Sequence, residues 1–167
     1  MHYTANYWIK ELGLTAHIEG GAFKEIYRSA LVLPQSKLTS AHGGNRNVLT
    51  VIHYLLQYGD FSALHRIASD EIWHFYDGAP LSIYELTPAG EMIRHQLGKN
   101  INDGESLVVV IPAGSWFGCR VEIEGGFTLC GCSVAPGFDF ADFELADRGS
   151  LVSQFPDHKA LITALTR

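Results

Sequence analysis

The stretch that decides the fold is GDFSALHRIASDEIWHFYDG, residues 59–78. It contains two runs of strand length, Phe61 to Ala68 and Glu71 to Asp77, and the dipeptide Ser69-Asp70 separates them. Serine and aspartate are typical turn residues, and short runs rich in apolar and aromatic side chains between turn signals are typical of β-strands. The stretch therefore predicts two neighbouring strands joined by a tight turn.

The same pattern extends in both directions along the chain. Further runs of strand length lie at Phe23 to Tyr27, Val48 to Gln57, Leu81 to Thr87, Met92 to Leu97, Leu107 to Ile111, Trp116 to Glu122 and Phe127 to Ala135. Turn signals separate these runs, and no helical pattern lies between them, as a parallel βαβ sheet would require. The sequence predicts an all-β fold, an antiparallel sandwich or barrel.

Helices are predicted only near the two ends of the chain. Apolar side chains recur at helical spacing from Tyr3 to Leu12, and Gly13 follows as a stop signal. A second short helix is expected to begin at Pro156-Asp157 and to pack one apolar face onto the sandwich.

Length and charge limit the classes of protein to which the chain can belong. Its 167 residues fit one domain over residues 1–167, and its formal net charge of −6 disfavours a nucleic-acid backbone or an anionic membrane as partner. No apolar run reaches the roughly 18 residues that span a bilayer, and no basic segment with an apolar core opens the chain. We expect a soluble, cytoplasmic protein.

The three cysteines are an odd number and lack the CxxC spacing of many metal sites. Cys119, Cys130 and Cys132 all lie in apolar runs. We interpret them as buried, reduced thiols.

Residues 59–78 also resemble the first motif of the cupin superfamily. Gly59, His65, Glu71 and Gly78 stand at the spacings of that motif, and Pro112-Ala113-Gly114 resembles the turn of the second cupin motif. The resemblance implies a double-stranded β-helix, the cupin jelly roll, with the short helices at its ends.

Within the superfamily the chain resembles the DUF985 group, also called Cupin_5. The segments that carry this resemblance are His17-x-Glu19-Gly20-Gly21-x-Phe23, Tyr27-Arg28-Ser29, His65-Arg66, Ser69-Asp70-Glu71-x-Trp73-His74-Phe75-Tyr76, Val134-Ala135-Pro136-Gly137-Phe138 and Asp142-Phe143-Glu144. They run from residue 17 to about residue 145. The resemblance specifies a fold and leaves the function open, because the biochemical role of the group is largely unassigned.

Cupins usually hold a divalent metal with three histidines and one glutamate. The resemblance places His65 and Glu71 at two of these four positions, whereas Ile67 and Phe117 occupy the other two. Metal sites in proteins normally need at least three ligands, so two would hold a transition metal weakly. We expect no resident cofactor, and the alternative of a divalent metal at His65 and Glu71 with one unconventional ligand stays open.

His65 and Glu71 are the candidate catalytic residues. An imidazole and a carboxylate on the inner face of the barrel suit general acid–base chemistry if burial moves a pKa toward neutrality. The metal-free sugar-nucleotide epimerases have a similar jelly roll and use a histidine base in the barrel, a likeness of fold alone. The hypothesis is a cupin that binds a small polar ligand, such as a carbohydrate or a nucleotide-sugar-like molecule, and acts as a metal-independent isomerase or epimerase. Whether the ligand is turned over or only bound stays open.

Further residues are candidates for contacts with the ligand: Glu25, Tyr27, Tyr54, Trp73, Phe75 and Phe117. Strand alternation places Trp73 and Phe75 on the face of Glu71, and Tyr27 on the face of Glu25. By the same rule Glu25 and Arg28 face opposite sides unless a β-bulge lies between them. The aromatic residues are equally compatible with a plain core role.

A homodimer is also expected, because jelly rolls commonly cover a sheet edge or face by pairing. Two alternatives to the ligand-binding hypothesis stay open: a metal-dependent enzyme with a degenerate site, and a non-catalytic scaffold or sensor module. The scaffold alternative predicts a filled interior in which His65 and Glu71 are hydrogen bonded to each other.

Overall fold

The chain forms two facing antiparallel sheets in the computed structural model, which describes residues 3–167. The strands are β1 (Thr15–Ala16), β2 (Ala22–Arg28), β3 (Val32–Leu33), β4 (Arg46–Asn47), β5 (Thr50–Gln57), β6 (Phe61–Arg66), β7 (Asp70–Gly78), β8 (Leu81–Leu86), β9 (Met92–Leu97), β10 (Val108–Ile111), β11 (Trp116–Val121), β12 (Phe127–Ala135) and β13 (Glu144–Leu145). A six-stranded sheet has the order β1-β2-β5-β12-β7-β10, and a five-stranded sheet has the order β13-β6-β11-β8-β9. β3 and β4 form a separate pair.

The main core fills the space between these two sheets. Along the first half of β7, buried residues alternate with more exposed ones, because successive residues of a strand point to opposite faces. Glu71 and Trp73 are the buried residues and share the inner face. This alternation confirms the inner face predicted for β7. Cys119, Cys130 and Cys132 are buried and free in the described structure, as predicted.

Three short helices cover the outside of the sandwich: α1 (Ala5–Leu12), α2 (Arg148–Gln154) and α3 (Lys159–Ala164). α1 ends at Gly13, which adopts the left-handed conformation with φ 64° that glycine tolerates best. α2 and α3 contribute Leu151 and Ile162 to a second core beneath the five-stranded sheet. None of the helices within residues 3–167 is long and apolar enough to cross a membrane.

The predicted fold class is confirmed, and the main strands lie within about two residues of their predicted limits. The sequence missed α2, a seven-residue helix that begins after the capping residue Asp147, whose carboxylate accepts the N–H of Ser150 at 2.8 Å. It also missed the two-residue strands, which have too few residues to show alternation.

One irregularity in β2 changes which side chains face inward. Glu25 pairs with Ile52 and Tyr27 pairs with Val51, so Ile26 is an extra residue in β2 and forms a β-bulge. Beyond the bulge Arg28, rather than Tyr27, stands on the face of Glu25. The expectation that Tyr27 shares this inner face is therefore wrong, because strict alternation does not continue through a bulge.

Candidate functional site

A cavity of about 250 Å³ opens between the two sheets. Four histidine and glutamate side chains of its lining are almost fully buried: His17, Glu19, His65 and Glu71. Burial of this many ionisable groups is costly unless they are paired or used, so the cluster marks the cavity as the candidate site.

His65 lies on β6, with one ring nitrogen hydrogen bonded and the other close to a carboxyl group. Its Nδ1 is 2.7 Å from the carbonyl oxygen of Ala63, which can only accept, so Nδ1 carries a proton. In the neutral ring Nε2 is therefore the acceptor, and it lies 3.2 Å from Oε2 of Glu19. The ring packs against Phe117 and Phe143, with centroids 4.1 Å and 5.3 Å away, which fixes its orientation.

Glu19 reaches His65 from a tight loop, residues 17–21, between β1 and β2. The Tyr54 hydroxyl donates to the carbonyl of Gly20 at 2.9 Å, and the N–H of Gly21 donates to Oδ2 of Asp60 at 2.9 Å. Gly20 and Gly21 have φ values of 119° and 71°, a backbone conformation that side chains other than glycine rarely adopt. The two glycines thus let the loop carry Glu19 into the barrel.

Burial raises the pKa of both carboxyl groups. The pKa of Glu19 rises from its ordinary 4.5 to about 7, mainly by desolvation, and the neighbouring His17 partly offsets this. The pKa of Glu71 also rises to about 7, by desolvation against the opposing attraction of His65. Near pH 7 each carboxyl is divided between its acid and carboxylate forms.

Burial has the opposite effect on the two histidines, because it disfavours their charged form. The pKa values of His17 and His65 are both lowered from 6.5, first by desolvation, although Glu19 and Glu71 respectively work against this. Both imidazoles are therefore neutral near pH 7. In that state the acid form of Glu19 places a proton donor 3.2 Å from the unprotonated Nε2 of His65.

The rim of the cavity is polar and its walls are apolar. Glu25, Arg28, Thr50 and Asp139 lie among the polar lining residues. The apolar wall consists of Phe23, Ile52, Val134, Phe138 and Phe140, together with the thiol-bearing Cys132. A small ligand with one polar end and one apolar face suits this division.

The structure brings together only some of the predicted site residues. His65, Glu71 and Glu25 line the cavity. Tyr27 is 51% exposed and lies outside the lining, because the bulge turns it away. The position of Arg28 follows from the same bulge, and both Glu25 and Arg28 face the rim.

The predicted aromatic contacts belong to the core rather than to the cavity lining. Tyr54 and Trp73 are fully buried and pack edge to face, and Phe75 packs against the same cluster. Phe117 supports the ring of His65 from behind. The aromatic wall instead comes from Phe23, Phe138 and Phe140.

Sequence reasoning missed His17 and Glu19 as site residues. Both lie in the segment His17-x-Glu19-Gly20-Gly21, which carried the family resemblance. A carboxylate next to two glycines was a usable signal, since the glycines indicate a tight loop that can enter the barrel.

The described residues do not fit the usual cupin metal site. No group of three or more His, Cys, Asp or Glu side chains within residues 3–167 is arranged to hold a metal ion. Ile67 and Phe117 have apolar side chains without ligand atoms, and Nε2 of His65 lies 3.2 Å from Oε2 of Glu19.

The facing sheets and the inward His65 and Glu71 define a cupin. The family model for the cupin superfamily group DUF985, Cupin_5, matches residues 6–146, and the chain belongs to that family.

Three proteins illustrate how similar its relatives are. A protein from Shewanella oneidensis is 38% identical with a TM-score of 0.89, covering 99% of this chain and 98% of that one. A hypothetical protein from Leishmania major is 32% identical with a TM-score of 0.90, over 98% and 99% of the two chains. An uncharacterized protein of Saccharomyces cerevisiae is 29% identical over 80% of this chain and 71% of its own length.

Proposed function

We propose that this cupin binds a small polar ligand of the carbohydrate class and moves a proton on it, as an isomerase or epimerase does. The observation that carries the proposal is the buried set of two carboxyls with pKa values of about 7 and the neutral His65 beside them, all at one cavity. Groups that titrate near the working pH can both take and give a proton, which general acid–base catalysis requires.

The proposed roles follow from the contacts. A base takes a proton from the carbon next to a carbonyl, the C–H electron pair moves toward the carbonyl, and an acid protonates its oxygen. In the reverse steps of an isomerase the proton returns to the former carbonyl carbon. In an epimerase it returns to the original carbon from the opposite face. Glu71 is one proposed acid–base unit. The other is the pair of His65 and Glu19, in which Nε2 and Oε2 are 3.2 Å apart. Both units end the cycle as they began it.

The scaffold alternative is not favoured. It requires a filled barrel and a hydrogen bond between His65 and Glu71, whereas a cavity of about 250 Å³ is present and His65 contacts Glu19. A metal-dependent enzyme is not favoured either, since the set of ligands is incomplete among the described residues.

Deuterium uptake from D2O tests proton transfer directly. The purified protein is incubated with aldoses, ketoses, their phosphates and nucleotide sugars, and carbon-bound deuterium is measured by mass spectrometry and NMR. We expect uptake into at least one compound and a loss of about 10²- to 10⁴-fold in His65→Gln and Glu71→Gln. His95→Gln is the matched control, because His95 pairs with Glu85 at 2.9 Å and lies outside the cavity lining.

Two results would contradict the proposal. One is no uptake above background into any compound. The other is uptake at the same rate in the wild type, His65→Gln and Glu71→Gln, which would assign the chemistry elsewhere.

A further inference from the structure

The ionisable side chains around the cavity have an uneven balance of charge. They are His17, Glu19, Glu25, Arg28, His65, Glu71 and Asp139, together with the Cys132 thiol, whose pKa is raised by burial so that it stays neutral. Arg28 is the one arginine or lysine in this lining, as far as residues 3–167 are described. Any site for a phosphate or carboxylate would depend on its guanidinium, since such anions are bound mainly by cationic side chains and clustered N–H groups.

The guanidinium of Arg28 is already occupied. Its Nε and Nη2 donate to the two carboxylate oxygens of Glu25 at 3.0 Å and 2.7 Å. Its Nη1 donates to Oδ1 of Asn47 at 3.0 Å and to the carbonyl of Phe138 at 3.1 Å. A ligand anion would have to displace Glu25 from a two-point ion pair.

The remaining lining charges also oppose an anion. At the rim the carboxylates of Glu25 and Asp139 outnumber the single charge of Arg28, which leaves one negative charge. Deeper in the cavity Glu19 and Glu71 add further negative charge as they ionise, and the histidines are neutral near pH 7. Like charges repel more strongly in a partly buried site than in bulk water.

The size of the cavity also favours a small ligand. About 250 Å³ lies below the range of roughly 300–1,000 Å³ typical of pockets for drug-sized molecules. One sugar ring fits that scale, with its hydroxyls toward Glu71 and His65 and its C–H face against the phenylalanine wall. A nucleoside diphosphate would have to lie outside, beside Glu25 and Asp139.

We propose that the ligand is an uncharged monosaccharide, and that Glu25 is a specificity-determining residue which excludes phosphorylated and carboxylated compounds by neutralising Arg28. This inference rests on the proposed function for the location of the site. It narrows the ligand class, since nucleotide sugars and sugar phosphates are excluded.

Inorganic phosphate is the first probe, because its binding needs no knowledge of the natural ligand. Phosphate is titrated into the wild type and Glu25→Gln at constant ionic strength, with binding followed by ³¹P NMR. We expect no saturable binding to the wild type up to about 10 mM. Glu25→Gln should bind phosphate with a Kd of about 1 mM or below, at least about tenfold under that limit, because the substitution frees the Arg28 guanidinium. Adding Arg28→Gln to that variant should abolish the gain.

Glu122→Gln is the matched control for the change in charge. Glu122 pairs with Arg120 in an ion pair exposed to the same degree, 37% and 38% against 40% and 38% for Glu25 and Arg28, and it lies outside the cavity lining. Wild-type phosphate binding below about 1 mM that Arg28→Gln removes would overturn the proposal. A gain in Glu25→Gln no larger than in Glu122→Gln would overturn it too.

A second measurement tests the ligand class. Saturation-transfer NMR compares uncharged monosaccharides with their phosphates and with amino sugars. We expect the wild type to bind at least one uncharged sugar and not to bind the phosphate ester of the same sugar. Binding only of phosphates, only of amines, or of no compound at about 10 mM would refute the ligand class. Binding of an uncharged sugar without deuterium uptake would instead refute the proton-transfer function and support this inference.

Discussion

Replacement of Glu71 by glutamine should stabilise the protein at alkaline pH while it removes the proposed catalytic group. The pKa of Glu71 is raised from 4.5 to about 7 because folding buries the carboxyl. The folded state therefore holds the Glu71 proton more tightly than the unfolded state does. This contribution to stability is fully present below pH 4.5 and is lost as the pH rises through 7.

The size of the effect follows from the shift in pKa. Each unit corresponds to about 1.4 kcal/mol, so a change from 4.5 to about 7 amounts to about 3 kcal/mol. Glutamine has the shape of the protonated side chain and carries no charge at any pH. The free energy of unfolding of Glu71→Gln should thus gain about 3 kcal/mol relative to the wild type between pH 4 and pH 8.

Urea denaturation of both proteins at several pH values between 4 and 8 measures this difference. In thermal denaturation at pH 8, the melting temperature of Glu71→Gln should be higher than that of the wild type by roughly 6–12 °C. Glu124→Gln, at an exposed position, controls for the loss of one surface carboxylate. A difference between variant and wild type that is the same at pH 4 and pH 8 would refute the reasoning, since it would show that folding leaves the pKa of Glu71 unshifted.

Two further predictions concern the loop and the surface. Gly20→Ala should lose at least about 3 kcal/mol of stability for two reasons. The added Cβ would collide with the carbonyl of Phe61, and alanine is strained at the positive φ of this position. Gly59→Ala, with φ 89° and open space around the Cβ position, should lose only the smaller strain, so equal losses in denaturation would contradict the contact. A homodimer stays a prediction, and we expect it to cover the half-exposed Val108 and Val110 on the edge strand β10. Elution of the wild type as a monomer in size-exclusion chromatography would refute it, and Val110→Glu should weaken a dimer.

The fold could be predicted from the sequence because its signals are local. Glycine and proline turn residues mark the ends of most strands, and alternation along β7 assigns Glu71 and Trp73 to the inner face. The helix α2 escaped prediction because seven residues give too few turns for a clear period.

The site could be predicted only in part, because half of it depends on long-range packing. The motif spacing identifies His65 on β6 and Glu71 on β7, and alternation along the first half of β7 places Glu71 inward. Glu19 lies in a loop, whose path into the barrel depends on Tyr54 and Asp60 from other parts of the chain. The bulge at Ile26 depends on how β2 meets β5, and no turn residue announces it in the sequence.

That bulge makes the chemistry of the cavity entrance a matter of how β2 is paired with β5. The side chain of Ile26 is about half exposed, and the bulge needs only its extra backbone unit. The position should therefore accept many replacements. If Ile26 instead paired with Val51, the bulge would disappear, the rest of β2 would shift by one step, and Tyr27 would take the place of Arg28 at the entrance. Removal of Ile26 would leave the pairs of Glu25, Tyr27 and Arg28 with β5 unchanged, so the guanidinium should stay at the entrance.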